Sequence, residues 1–326
     1  MKKTVFCVTY LILICNLFFI VSCVDSDMEY KSMQPIRTVE NFNDTVMLSS
    51  QVSGLTFVNG KYYLSDYHKG ILSFDKEFKS LSIENVDTGA IYLPQCFMFT
   101  VYGNGIKSVY NSKKKSFFYL KDGKWKCTDR LEYSVPRPSR YVSEGNTINF
   151  PIIKNKMTAA VLCDSTVVDS FAPAIKDLDD ARMPYHSARM IVKNKDNLFI
   201  IGKGLPVVQM YSKDYKCLST LDLRTIDDIA NTFEQEKSED PNSYFVIISD
   251  AYASNEYLYL LVSSKNKGKF KSNIILTLRV SNGTVELNTA YKLKGNRYST
   301  ICVNDKGQLV VVNQKTAGIE VYELYE

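Results

Sequence analysis

The chain has 326 residues, 45% of them apolar, and a formal net charge of +5 that falls to +3 once Lys2 and Lys3 are set aside. A charge that small gives no electrostatic case for nucleic acid, which is excluded as a partner. With 22 Tyr and 17 Phe against one Trp, the composition favours strands over long helices in a chain long enough to bury a substantial core.

The N-terminus reads as an export signal. Lys2 and Lys3 form a short cationic start, and residues 5–21 are nearly unbroken apolar sequence, interrupted by Thr9 and Asn16. That stretch is short for a membrane span, and Ile20-Val21-Ser22-Cys23 ends it with small residues at a cleavage position. A cysteine just after the cleavage position offers a thiol that can be acylated and an amine that can be capped. The segment resembles the lipobox of bacterial lipoproteins, with Ile20 and Val21 departing from the usual Leu and small residue. The resemblance implies a signal peptide over residues 1–22, lipidation at Cys23 and a membrane contact through that lipid anchor. It places the protein in the bacterial cell envelope, at the outer membrane on its periplasmic or surface face. The alternative is an uncleaved N-terminal anchor helix. Residues 23–32 read as a flexible tether; their acidic residues (Asp25, Asp27 and Glu29) resemble the surface-export signals of some Gram-negative lipoproteins.

Downstream, one pattern recurs: an alternating apolar strand, a turn, a second strand, then two more. The clearest copy runs over residues 51–66 and turns at Asn59-Gly60, the strongest short hairpin signal. Residues 70–75 and 80–83 supply its third and fourth strands. Further copies begin near Cys96, Arg140, Ser187, Ser249 and Tyr298. Four-stranded units spaced by about 45 residues mark the blades of a β-propeller, here six. The last unit stops after its third strand, at residues 318–324, while residues 34–39 form an orphan strand before the first unit. The N-terminal strand is therefore expected to complete the last blade, and a short amphipathic helix within residues 223–244 to be inserted between blades four and five. The propeller domain spans residues 33–326; an irregular β-sandwich is the competing architecture.

Of eight cysteines, Cys7 and Cys15 leave with the signal and Cys23 takes lipid, so Cys96, Cys127, Cys163, Cys217 and Cys302 remain. An odd, scattered set without a C-x-x-C is a poor disulfide framework and a poor metal site. Each lies in or beside an apolar segment and is expected to be a small buried hydrophobe, with one disulfide left open. The basic runs at 113–115 and 265–271 read as solvated hairpin tips.

The lipobox, the six hairpin starts and phrases such as Tyr63-Leu64-Ser65-Asp66-Tyr67-His68-Lys69-Gly70-Ile71 resemble the TolB-like six-bladed propellers of Gram-negative lipoproteins, and more distantly the NHL propellers. The resemblance covers residues 33–326 and implies a scaffold; its motifs carry no chemistry.

Catalytic signals are sparse. His68 and His186 are the only histidines, and no G-x-S-x-G, H-E-x-x-H, P-loop or Rossmann fingerprint occurs, so neither metal nor cofactor is expected. In a propeller, the loops leading into the innermost strands and those joining strands two and three share one face around the channel mouth. The candidates on that face are Asp66, His68, Arg137, Arg140, Tyr141, Tyr185, His186, Arg189, Asp250, Tyr252 and Arg297. Arg and Tyr favour recognition of carboxylate, sugar or peptide groups. The expected function is a non-catalytic binding or scaffolding propeller for a protein, peptide or glycan partner. The alternative is a propeller hydrolase or lyase acting on a sugar or lactone, which needs Asp66, His68, His186 and Asp250 to converge.

Overall fold

The computed structural model describes residues 28–42, 48–49, 51–84, 96–102, 105–111, 116–121, 124–127, 140–143, 146–149, 152–153, 156–157, 159–163, 166–173, 175, 188–239, 245–266 and 268–325. The expected signal peptide, Cys23 and residues 24–27 lie outside the described residues.

Two short strands come first, β1 (Tyr30–Met33) and β2 (Arg37–Val39). The first sheet follows as β3 (Val52–Val58), β4 (Lys61–Asp66), β5 (Gly70–Asp75) and β6 (Leu81–Ile83). The second is β7 (Cys96–Tyr102), β8 (Gly105–Asn111), β9 (Ser116–Lys121) and β10 (Lys124–Cys127). In the third, β11 (Arg140–Ser143) and β12 (Asn146–Asn149) are followed by a two-stranded ribbon, β13 (Ile152–Ile153) and β14 (Lys156–Met157), before β15 (Ala159–Cys163) and β16 (Thr166–Phe171). The fourth contains β17 (Arg189–Lys193), β18 (Asn197–Gly202), β19 (Val207–Ser212) and β20 (Cys217–Asp222). A helix, α1 (Asp227–Glu239), then precedes the fifth: β21 (Ile248–Ala253), β22 (Tyr257–Asn266), β23 (Lys269–Ser281) and β24 (Thr284–Leu293). The sixth is β25 (Tyr298–Val303), β26 (Leu309–Asn313) and β27 (Gly318–Tyr322).

Among the described residues the strands thus form six sheets of four or five strands and one ribbon; apart from β1, which joins the fifth sheet in parallel, neighbouring strands pair antiparallel as meanders. Their innermost strands touch in sequence, β3 to β7, β11, β17, β21 and β25, and β25 returns to β3. Meandering sheets packed face to face around a ring are a β-propeller. The orphan strand expected at residues 34–39 is β2, which pairs antiparallel to β27 through Arg37↔Val321 and Val39↔Ile319 and gives the sixth sheet its fourth strand.

The sequence periodicity follows from this packing. A middle strand of a propeller sheet is covered on both faces, so it reads as a continuous apolar run rather than an alternation. In β26, Val310 and Val312 pack toward the first sheet with Tyr62 and Leu64, while Leu309 and Val311 pack toward the fifth with Leu261 and Ile275. In β4, Tyr62 faces the sixth sheet and Tyr63 the second. The hairpin tips obey local chemistry. Asn59 and Gly60 have φ of 51° and 75°, and Asn282 and Gly283 have 49° and 79°, the paired left-handed conformations of a type I′ turn.

Three expectations need correction. The tether does not extend to residue 32, because Tyr30–Met33 is a strand that pairs parallel to β24 and adds a fifth strand to the fifth sheet. Lys265 is not a solvated hairpin tip: the long β22–β23 hairpin lies beside α1, and Lys265 Nζ is 2.7 Å from Glu236 Oε1 with both side chains mostly buried. The inserted helix lies within residues 223–244 as expected; it is thirteen residues long and is held by Ile229 and Phe233, which pack into the core of the fourth and fifth sheets. Finally, Cys127 and Cys217 are exposed, because each lies on the outermost strand of its sheet; Cys302, on an innermost strand, is buried as expected. The side chains of Cys96 and Cys163 lie outside the described residues.

Candidate functional site

In a propeller the chain between sheets and the turns between second and third strands share one face. The candidates divide into three groups there. Asp66, at the end of β4, is fully buried. Its Oδ2 accepts from Ser49 N (2.7 Å) and its Oδ1 from His68 N (2.9 Å) and Lys69 N (3.1 Å). The carboxylate thus closes the β4–β5 turn on the segment leading into β3, which occupies it structurally. His68 is exposed at the tip of that turn, its ring edge-on to Tyr67 at 5.1 Å.

Asp250 on β21 forms a second structural group. Its Oδ2 accepts from Thr300 Oγ1 (2.5 Å) and Ile301 N (2.9 Å), and Thr300 Oγ1 itself accepts from Leu55 N (2.8 Å). One hydrogen-bond chain therefore latches the innermost strands of the fifth, sixth and first sheets. Burial raises the Asp250 carboxyl above its ordinary range, against the opposing pull of these hydrogen bonds and of the nearby Lys203 charge. Tyr252 is half-buried on the same strand, packed against the cores on both sides of the sixth sheet, and burial raises its hydroxyl. Arg297 is exposed just before β25, where its backbone carbonyl accepts from Gln314 N at 2.9 Å.

Arg189, the first residue of β17, is different. It is 4% exposed, with Nη1 donating to Ala172 O at 2.6 Å and Nη2 to Pro173 O at 2.8 Å. Burial lowers its pKa to about 10, so it is still a cation at neutral pH. Two carbonyl dipoles face that charge, and among the described residues no carboxylate is paired with it. Arg189 lines a small pocket with Ile175, Ile200, Gly202, Leu205 and Gln209, between the end of the third sheet and the mouth end of the fourth.

Sequence reasoning named Arg189 but not its surroundings. Gly202-Lys203-Gly204 forms the turn from β18 toward β19. A Cβ at Gly202 would lie 1.9 Å from the Leu205 carbonyl oxygen, so the close backbone approach that shapes the pocket floor requires glycine. Gly202→Ala is therefore expected to force the backbone apart and lower stability by about 2–4 kcal/mol, measurable as a drop in thermal midpoint. The turn also joins two sheets: Lys203 O accepts from Ile247 N (2.8 Å) and Ile248 N (3.0 Å).

Arg140 and Tyr141 open β11, but their side chains lie outside the described residues, as do Arg137, Tyr185 and His186 altogether. Among the candidates that are described, Asp66, Asp250 and Arg189 each bond to backbone or to Thr300 and not to one another. No group of three His, Cys, Asp or Glu side chains is placed to hold a metal ion among the described residues.

No family model and no curated relative matches the chain. Among solved structures it is similar to a streptogramin B lyase at 12% identity and a TM-score of 0.48, over 89% of this chain and 97% of the other. It is also similar to virginiamycin B lyase from Staphylococcus aureus, solved with quinupristin, at 11% identity and 0.46, over 89% and 99%. The WD40 propeller domain of Doa1 is similar at 10% identity and 0.44, over 91% and 98%. Likeness at this level concerns overall fold and carries no chemistry across.

Proposed function

We propose that this chain is a lipid-anchored protein of the bacterial cell envelope, of the TolB-like kind, whose six sheets are the six blades of a binding propeller. Its ligand is an acidic group of a peptide or glycan, held at the mouth face without catalysis. The observation that carries this reading is Arg189, a buried cation whose side-chain partners among the described residues are two carbonyls, lining a small pocket near the loops that join the third sheet to the fourth. A buried guanidinium facing carbonyl dipoles favours a carboxylate arriving from outside, because its planar fork matches two carboxylate oxygens. The carboxylates of Asp66 and Asp250 support binding over hydrolysis, since both are occupied in holding loops and blades together.

The test compares carboxylates with their neutral counterparts. D-glucuronate and an acetyl-glutamyl dipeptide, but not glucose or the glutaminyl dipeptide, are expected to raise the thermal midpoint and to give calorimetric binding. Arg189→Gln is expected to weaken that binding by about 10–100-fold, the worth of a charge-assisted hydrogen-bond pair. Equal binding of neutral and acidic probes, or unchanged binding by Arg189→Gln, would sink the proposal.

A further inference from the structure

The chain nearest the lipidation position is built into the fold. Met28 packs against the core shared by the fourth and fifth sheets, and β1 runs parallel to β24 in the register Tyr30↔Ala290 to Met33↔Leu293. Met33 is buried, and Tyr30 Oη donates to Asp228 Oδ2 on α1 at 2.8 Å. Lys292 Nζ lies 5.9 Å from the Tyr30 ring centroid, and Lys31 Nζ the same distance from that of Tyr291. Pairing on the edge, packing of the flanking methionines and a hydrogen bond to the helix together hold this segment on the outer rim.

Only Val24, Asp25, Ser26 and Asp27 separate Cys23 from Met28. Five residue steps span at most about 18 Å even when fully extended. Four strands at about 4.8 Å put the outer strand of a sheet some 15 Å from its inner strand, so opposite rims of the ring lie more than about 30 Å apart. The second sheet, three steps from the fifth around the ring of inner strands, lies on that opposite rim.

We propose that β1 is an anchoring strand: through lipidated Cys23 it presses the rim shared by the fourth and fifth sheets onto the lipid headgroups. This rests on the lipoprotein reading above. β20 packs against β24, and this rim carries the exposed apolar side chains Leu218 and Leu287 together with exposed Lys31 and Lys292. Such a set suits a headgroup layer, where each Lys near an anionic surface is attracted and each apolar side chain reaches toward the acyl boundary. With its rim against the bilayer, the propeller holds the mouth face away from the membrane and open to ligand.

Two native thiols provide the test. Cys217 lies on this rim and Cys127 on the opposite one, and both are exposed. The full lipidated chain, with Cys96 and Cys163 changed to Ala, is labelled with a small fluorophore at Cys217 in Cys127→Ser and at Cys127 in Cys217→Ser. It is then bound to phosphatidylethanolamine–phosphatidylglycerol vesicles bearing nitroxide headgroups. The label at Cys217 is expected to be quenched at least about threefold more than the label at Cys127. A twelve-residue Gly/Ser insertion after Asp27 is expected to abolish that difference while vesicle binding persists. Matching thermal midpoints of the labelled chains establish that they fold alike. Equal quenching of the two labels on acylated, vesicle-bound protein overturns the anchoring strand alone, as does a difference that survives the insertion. A mature N-terminus without acyl chains on Cys23, read by mass spectrometry, overturns the lipoprotein reading and the anchoring strand with it.

Discussion

Asp250→Ala is expected to lower stability by about 3–5 kcal/mol, read as a fall in the urea midpoint at unchanged slope. The carboxylate accepts from Thr300 Oγ1 and Ile301 N, and Thr300 accepts from Leu55 N, so one side chain organises the inner strands of three sheets. Alanine leaves the Thr300 hydroxyl and the Ile301 N–H without their acceptor and takes away the charge that faces Lys203. Asp250→Asn keeps an oxygen acceptor and is expected to cost less. It also isolates the pH dependence. Burial raises the Asp250 carboxyl in the folded chain, so the fold holds this proton more tightly than the unfolded chain does. The resulting stability is complete below the ordinary carboxylate value of about 3.9 and is lost as pH rises through the raised value. The unaltered chain is therefore expected to lose ground against Asp250→Asn as pH rises from 4 toward neutral. A difference that is flat, or that grows with pH, would mean that Lys203 holds the carboxylate in its charged form.

The arrangement of sheets was legible because propeller blades are built from local signals. Asn59-Gly60 and Asn282-Gly283 adopt the left-handed turn conformations that only such pairs take readily, and the strand starts near 51, 96, 140, 187, 249 and 298 fall within two residues of the innermost strands observed. What stayed hidden depended on partners far along the chain. Tyr30-Lys31-Ser32-Met33 has no alternation, and its strand identity comes from β24, some 260 residues later, through a parallel edge pairing without a sequence period of its own. Lys265 looked like one charge in a basic run, but the ion pair that shields it comes from Glu236 on the inserted helix. Exposure of Cys217 follows from its place on an outer strand, which the Cys and Leu residues of that strand do not announce. At the mouth face, Arg189 was legible as a residue type at the right point of the repeat. Its carbonyl partners Ala172 and Pro173 come from the end of the preceding blade and have no side-chain signature.

The second large effect is expected at Glu320, with about 3–4 kcal/mol lost in Glu320→Ala. This β27 side chain is 7% exposed, and no Lys or Arg pairs with it among the described residues. Three neutral donors hold it instead: Oε2 accepts from Tyr298 Oη (2.8 Å) and Tyr322 Oη (2.5 Å), and Oε1 accepts from Asn313 Nδ2 (2.7 Å). Tyr298 Oη also receives Gly295 N at 2.8 Å, which ties the turn before β25 into the same network. Alanine removes the common acceptor and leaves a cavity beneath two buried phenols. Tyr322→Phe leaves Tyr298 still donating and is expected to cost about 1 kcal/mol. Because the two hydroxyls share one oxygen, Tyr298→Phe and Tyr322→Phe are expected to combine non-additively in a double-mutant cycle. Burial, with the Glu320 charge adding to it, raises both phenols above the ordinary tyrosine range. Their contribution is therefore complete below about pH 10 and is lost above it, as the unfolded phenols ionise first. The advantage of the unaltered chain over Tyr322→Phe should shrink between pH 9 and 11. Additive tyrosine effects together with a mild Glu320→Ala would mean that water takes over the acceptor role.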